Sequence, residues 1–337
     1  MKYKKTLRIL IGVIIFGLAL WWVFSLTDLQ SFAEIIEHAN LPLLSMCVPL
    51  IIVSHWLRAI RWKRLLPSYS KQISTYRAFS AVMIGYAANT VVPRSGEIIR
   101  PLVLSNRTAV PASAALSSVI MERILDVLTL LVAIGVIVVL QQGLFTRVFP
   151  NLSIAAALSS VLFPIALLIL LIAVIVFTNL GERLVAILGK PLSKKWQQKL
   201  IGIIHGIREG SSLLRYPKVW PVLGLESILM WALYIVPLLI VYHSISFATQ
   251  VEFGFADAAV MLVVIAVGVT IAPTPGALGV YQGFAQAAMI TLYGATPEEG
   301  LAFGVLAWVV NYGTAMVVGG LCLVDETRHG FRLKKES

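Results

Sequence analysis

The sequence predicts an all-α polytopic membrane protein of about six full spans plus two oppositely oriented re-entrant hairpins in an inverted repeat. Three observations carry this expectation. Runs of about 18 or more apolar residues recur along a chain that is 58% hydrophobic and 13% charged, with a mean hydropathy of +0.88. Two of the apolar stretches are interrupted by Pro- and Gly-containing polar motifs. Basic residues concentrate in alternate loops. The short alternating segments of a membrane β-barrel do not occur.

The first element follows the basic start Met1-Lys2-Tyr3-Lys4-Lys5 and runs apolar from Leu7 to Leu26. Its length, the bulky Trp21 and Trp22 and the lack of an A-x-A-like cleavage site favour a retained helix over a cleaved signal peptide. Further spans are expected near 41–60, 113–140, 154–178, 218–243 and 299–323. Segments 76–104 and 256–293 contain the breaks, Pro93-Arg94-Ser95-Gly96-Glu97 in one and Pro273-Thr274-Pro275-Gly276-Ala277-Leu278-Gly279 in the other. Within a bilayer such breaks release backbone polar groups, so they must face protein or a polar cavity.

Charge sets the sidedness. The N-terminal tail, 58–78, 179–218 and the C-terminal tail hold most of the basic residues, so all four are expected to be cytoplasmic. The same pattern accounts for the net charge of +11 without a nucleic-acid partner. The intervening loops are acidic or neutral, with Asp28, Glu34, Glu37, Glu252, Asp257, Glu298 and Glu299 against a single Arg147. Counting spans then makes 76–104 enter and leave on the cytoplasmic side and 256–293 on the outer side. A pair of short tilted spans is the competing reading of each.

One membrane domain, 1–337, is thus expected, in two inverted halves, 1–140 with hairpin 76–104 and 141–337 with hairpin 256–293. No residue-level identity links the halves. In 194–214, Trp196, Leu200, Ile203, Ile204 and Ile207 share one helical face, with Lys194, Lys195, Lys199 and Arg208 largely off it. That pattern suits an interfacial helix on the cytoplasmic leaflet, or equally an amphipathic linker packed on the bundle.

The candidate binding residues lie at the breaks and in the helix between them. In the first hairpin, Asn89, Arg94, Ser95, Gly96, Glu97 and Arg100 place two arginines beside a helix start near Ser95, a combination suited to a phosphate group. Interfacial arginines that snorkel are the plainer alternative. Glu122 falls roughly 13 Å into helix 113–140, close to the midplane of a ~30 Å core, with Arg123 and Asp126 following it. Residues of that kind must pair or line a cavity, and Arg94 and Arg100 are the expected partners. The pairing can be a static lock or one that an anionic ligand breaks. The second hairpin is uncharged: Pro273 and Pro275 stop a helix, Gly276 and Gly279 allow a turn, and Gln282 is expected to meet Asn311 of the last helix. A simple kink is the alternative there.

Walker A, G-x-S-x-G and H-E-x-x-H sequences are absent, and the five histidines are scattered, so no cofactor and no metal site is expected. Cys47 and Cys322 read as packing residues. Gly279-x-x-x-Gly283 and Gly300-x-x-x-Gly304 permit close helix contacts within or between subunits.

Arg58-Ala-Ile-Arg61-Trp62 with Leu65-Leu66, Asn89 through Arg100, Glu122-Arg123-x-x-Asp126 and Pro273 through Gly279 occur in an order that resembles the flippase-like membrane family typified by the transmembrane domain of lysylphosphatidylglycerol synthase. The resemblance implies movement of a lipid across a prokaryotic cytoplasmic membrane, the lipid being an anionic or modified phospholipid or a polyprenyl or hopanoid-type lipid. In the namesake a soluble aminoacyl-transferase domain follows. This chain reaches Ser337 without one, so it is not expected to make the aminoacylated lipid itself. Two departures stand out. Gly276-Ala277 occupies the place of a usual glycine pair, and Gln282 that of a usual acidic residue, which removes a candidate proton or cation site.

A lipid flippase or translocation facilitator is therefore the leading expectation, with N- and C-termini cytoplasmic and no enzymatic activity. The alternatives are a non-transporting scaffold for a lipid-modifying enzyme partner, and a membrane enzyme using Glu122 or Asp126 as general base on a phosphorylated lipid.

Overall fold

The structure, a computed structural model, describes residues 27–66, 69–177, 193, 197, 201, 217–248 and 252–331. The first apolar segment, 7–26, and almost all of the amphipathic stretch 194–214 lie outside the described residues. What is described is helical throughout. Helices α1 (Leu29–Glu37), α2 (Leu41–Ser45) and α3 (Cys47–Arg64) precede the first broken segment, α4 (Thr75–Val91) and α5 (Gly96–Arg107). Next come α6 (Ala112–Leu140), α7 (Gln142–Val148), α8 (Ile154–Phe177) and α9 (Trp220–His243). The second broken segment is α10 (Phe255–Ile271) and α11 (Val280–Tyr293). Helix α12 (Pro297–Trp308) continues through a π turn, Val309–Gly313, into α13 (Thr314–Arg328).

Five helical stretches are long and apolar enough to cross a membrane: Leu41–Arg64, Ala112–Leu140, Ile154–Leu171, Trp220–His243 and Pro297–Arg328. They coincide with five of the expected spans, which makes this a multi-pass membrane protein. The helices of the broken segments are shorter. At ~1.5 Å per residue, α4 and α10 reach about 25 Å and α5 about 18 Å, less than a ~30 Å hydrocarbon core.

Each broken segment brings its two ends together. The Arg77 guanidinium donates to the Arg107 carbonyl at 2.8 Å. Arg107 in turn pairs with Glu326 at 2.9 Å, and the Tyr76 hydroxyl donates to Asp325 at 2.8 Å. The ends of α4–α5 therefore sit beside the end of α13. In the second segment the Tyr293 hydroxyl lies 3.4 Å from the Asp257 carbonyl, and the Gln141 amide donates to the Asp257 carboxylate at 3.0 Å.

The arms of the first segment cross almost in contact. A Cβ added at Gly96 would overlap the Gly85 carbonyl and stand 2.9 Å from Asn89 Oδ1. No residue but glycine fits there. Asn89 then ties the break, because its Oδ1 accepts the Gly96 N–H at 2.7 Å.

Two hydrophobic cores hold the bundle, and each draws on both ends of the chain. One gathers the second broken segment with Cys47, Ile51, Leu238 and Val241. The other gathers the first broken segment with Trp62, Val119, Ala315 and Cys322. Helix α13 thus packs on the first segment, where Gly319 lies against Met83 and Ala87, while α1 packs beside α12. Early and late helices of the chain interleave. Helices α6 and α8 pair on one flank, and much of their apolar surface, including Leu162 and Phe163, stays exposed for lipid.

Candidate functional site

Helix α3 carries Arg58, Arg61 and Trp62 at three- and four-residue spacing, so all three turn inward on one face. Across from them, Glu122 and Asp126 of α6 are one turn apart. Arg58 Nη1 contacts Glu122 Oε1 and reaches Asp126 Oδ2 at 3.0 Å. Arg61 Nη2 contacts Asp126 Oδ1 and lies 3.7 Å from Glu122 Oε1. Side chains at this depth cannot stay charged without such partners. Other groups hold the arginines in place: Arg58 Nε donates to the Tyr234 hydroxyl at 3.1 Å and Arg61 Nη1 to Ser227 Oγ at 2.9 Å. Trp62 completes the face by donating to Ser118 Oγ at 2.8 Å.

This arrangement corrects the sequence-based pairing. Arg58 and Arg61 count there as charges of a cytoplasmic loop, yet both are buried and form the main partners of Glu122 and Asp126. The cue was present in their helical spacing with Trp62 inside an apolar stretch. Arg100 does join the cluster, 2.8 Å from Glu122 Oε2, but Arg94 does not. Arg94 is exposed at the break and donates to the Thr270 carbonyl at 3.2 Å.

Arg100 is also buried, and it lines neither of the cavities beside the breaks. It is 3% exposed, its guanidinium lies 5.0 Å over the Trp62 ring, and Gly85 crosses against its side chain. The expectation that Arg94 and Arg100 together grip one phosphate does not match this geometry. The start of α5 is likewise committed to its own fold, since the Gly96 N–H goes to Asn89 and Ser95 Oγ donates to the Ala88 carbonyl at 2.9 Å.

The second break makes a 3-10 turn over Pro275–Ala277 with Gly276 at φ 59° and Gly279 at φ 77°. Ala277 has φ 55°, left-handed backbone at the position where the resemblance favours a second glycine. Gln282 turns back to cap its own helix, its Oε1 accepting the Gly279 N–H at 2.8 Å. That bond takes Gln282 away from Asn311, which instead sits in the π turn. The Gly276 carbonyl freed by the break is taken by Trp308 Nε1 at 2.7 Å.

The two breaks meet. Gly276 packs against Thr90, and Arg94 reaches the end of α10. Beside this junction lies a cavity of about 610 Å³ whose walls include Arg58, Arg94, Glu97, Arg123, Asp126 and Pro273. Arg123 pairs with Glu97 at 3.3 Å and with Asp126 at 3.4 Å, and both Arg123 and Glu97 are part-exposed to the cavity. Arginine thus outnumbers carboxylate in the lining. A second cavity of about 330 Å³ shares Arg58, Tyr86, Asn89 and Tyr234 with the first. Among the described residues no group of three or more His, Cys, Asp or Glu side chains is placed to hold a metal ion.

Compared with known proteins, residues 9–319 match the family model described as the lysylphosphatidylglycerol synthase TM region. A glycosyltransferase, AglD of Haloferax volcanii, is 25% identical over 139 residues, 41% of this chain. The chain spans 22% of that relative's length. No solved structure matches.

Proposed function

This chain belongs to the family of lysylphosphatidylglycerol synthase TM regions, and from that footing we propose that it is a lipid flippase or translocation facilitator for a phosphate-bearing lipid. The observation that carries the reading is the charged cavity at the junction of the two breaks. Its arginines, Arg94, Arg123 and Arg58, line a space large enough for a headgroup; Arg94 pairs with no carboxylate among the described residues, and Arg123 pairs with Glu97 and Asp126, which line the same space. Guanidinium groups bind phosphate oxygens in pairs and keep their charge in a low-dielectric setting. An arriving phosphate would compete with Glu97 and Asp126 for Arg123. The acyl or prenyl tails would stay in the bilayer.

In this reading α4–α5 and α10–α11 are re-entrant hairpins of opposite orientation, one in each inverted half, 1–140 and 141–337. Their short arms and adjoining ends support it. The basic segments would face the cytoplasm, which puts both termini on that side of a prokaryotic inner membrane. Arg61 would hold Glu122 and Asp126 in place with Arg100 beside them as a buried cation, and neither would act as a headgroup ligand. A membrane enzyme using Glu122 or Asp126 as general base is less well supported, because arginines already occupy both carboxylates.

Proteoliposomes containing a fluorescent anionic phospholipid test the proposal. Arg94→Ala and Arg123→Ala should each slow translocation at least tenfold while the protein keeps its elution profile and thermal midpoint. Wild-type rates in these folded variants would overturn it, and mass spectrometry of the lipid would reveal chemistry if the protein were an enzyme.

A further inference from the structure

The second cavity differs in chemistry from the first. It lies between α3, α4, α9, α10, α11 and the π turn, toward the His243 end of α9, and among the described residues no carboxylate lines it. Arg58 is its one charged lining residue among those described, and that side chain is already committed to Glu122, Asp126 and Tyr234. Most of its wall is apolar, from residues such as Ile51, Leu238, Val241, Leu262 and Ile265, and into it project several neutral polar groups without protein partners.

His55 is 3% exposed, yet neither ring nitrogen has a hydrogen-bond partner among the described residues. The amide of Asn311 and the hydroxyls of Tyr86, Tyr281 and Tyr312 also make no hydrogen bond to a described residue, although all four side chains line the cavity. Of these, the His55 nitrogens are fully buried, where an unpaired polar group is rare, and the other four residues line the same cavity. The π turn contributes directly, because it carries both Asn311 and Tyr312. The aromatic surfaces are available as well, with the His55 ring 4.4 Å from that of Tyr86 and Tyr281 edge-on to Tyr312 at 6.0 Å.

We infer that this cavity takes an uncharged, hydroxyl-rich headgroup moiety, a sugar or similar polyol, attached to the phosphate that sits in the neighbouring charged cavity. The inference rests on the proposed lipid-phosphate function and names the substrate class. A polyol offers donors and acceptors in every direction, which suits histidine, amide and phenol groups that each do both. Its C–H faces pack on tyrosine rings. The volume, about 330 Å³, falls within the ~300–1,000 Å³ of small-ligand pockets. Because Arg58, Tyr86, Asn89 and Tyr234 border both cavities, one ligand can extend from the charged space into the neutral one.

Binding to the full chain in lipid nanodiscs tests the assignment with three probes: decyl phosphate, the glucosyl ester of decyl phosphate, and methyl glucoside. The glucosyl ester should bind at least tenfold more tightly than decyl phosphate. His55→Phe and Tyr281→Phe, which keep ring volume and remove the polar groups, should shrink that advantage to less than threefold without changing decyl phosphate affinity. Unchanged decyl phosphate binding also shows that each variant is folded. If the glucosyl ester binds no better than decyl phosphate, the sugar assignment falls while the phosphate reading stands. If neither binds, the phosphate reading itself falls. Methyl glucoside binding as tightly as the glucosyl ester would assign the cavity to free sugar and overturn the lipid-linked form of the proposal.

Discussion

Arg100 Nη2 stands 2.8 Å from Glu122 Oε2, but the two atoms are not aligned as a hydrogen bond, and no nitrogen of that guanidinium finds another acceptor among the described residues. Arg58 and Arg61 already serve the same carboxylate pair. Arg100 is therefore a buried cation held mainly by charge and by the face of Trp62. That makes the two partners unequal. Glu122→Gln leaves three buried arginines sharing one remaining carboxylate, and loss of one member of a buried ion pair costs about 3–5 kcal/mol. Arg100→Met removes a desolvated charge and leaves two buried arginines, Arg58 and Arg61, to two carboxylates, Glu122 and Asp126, so it should cost less than Glu122→Gln. Thermal unfolding in detergent checks this. Equal losses in the two variants would show Arg100 to be as essential as Glu122.

The glycines of the two breaks are constrained for different reasons, and substitution separates them. At Gly96 the obstacle is backbone, the Gly85 carbonyl, which cannot move without parting α4 from α5. Gly96→Ala should thus cost at least the ~1–3 kcal/mol of an overpacked site. At Gly276 the nearest atoms, those of Thr90, are 3.4 Å or more from an added Cβ, so space is adequate and the positive φ alone matters. Gly276→Ala should cost about 1–2 kcal/mol. Ala277→Gly should be close to neutral, since relief of its left-handed backbone is offset by the ~0.8 kcal/mol lost with a buried methyl. Urea or thermal melts of the three variants should follow that order.

Acid should loosen α1. Asp28 caps that helix, accepting the Ser31 hydroxyl at 2.6 Å and the Ser31 and Gln30 amides at 3.1 and 3.4 Å. These bonds, led by the Ser31 hydroxyl, hold its pKa below the ordinary carboxylate value. The carboxylate form is the one the fold prefers. The cap's contribution is accordingly complete above the unfolded pKa and fades as pH falls through the lower folded one, below about pH 4. Hydrogen exchange should show residues 29–37 fraying in that window. Asp28→Asn keeps the capping geometry without titrating, and in that variant exchange should lose its pH dependence beyond the intrinsic chemical rate.

Much of this architecture is legible in the sequence because hydropathy and charge act over whole segments. The spans, the breaks and the burial of Glu122 with Asp126 all follow from the cost of polar groups in lipid. What escapes is anything decided by one side chain's direction. Arg58 and Arg61 lie near the basic end of α3, where charge counting assigns them to a loop; only their turn-by-turn spacing with Trp62 distinguishes an inward face from a solvated end. Gln282 and Asn311 are polar residues of neighbouring helices, yet a local capping bond takes the first, and the second sits in a π turn and lines the neutral cavity. His55, a lone histidine in an apolar stretch, gives no sign in the sequence that both its nitrogens lack partners.

Trp308 links the second break to the last span, and its indole offers the sharpest test of whether that break moves. Nε1 donates to the Gly276 carbonyl at 2.7 Å, while the ring stacks on Tyr312, 5.6 Å away and nearly parallel, across the start of the π turn. Trp308→Phe keeps an aromatic ring for the stack and removes the donor, leaving a backbone carbonyl without its partner in the protein interior, at a cost of about 1–3 kcal/mol. If the break opens to let a headgroup pass, that bond must break in every cycle, and its energy adds to the barrier. Removing it should lower the thermal midpoint and raise the translocation rate per folded molecule at least threefold. A lower midpoint with an unchanged rate would make the bond a static brace, with the moving part elsewhere.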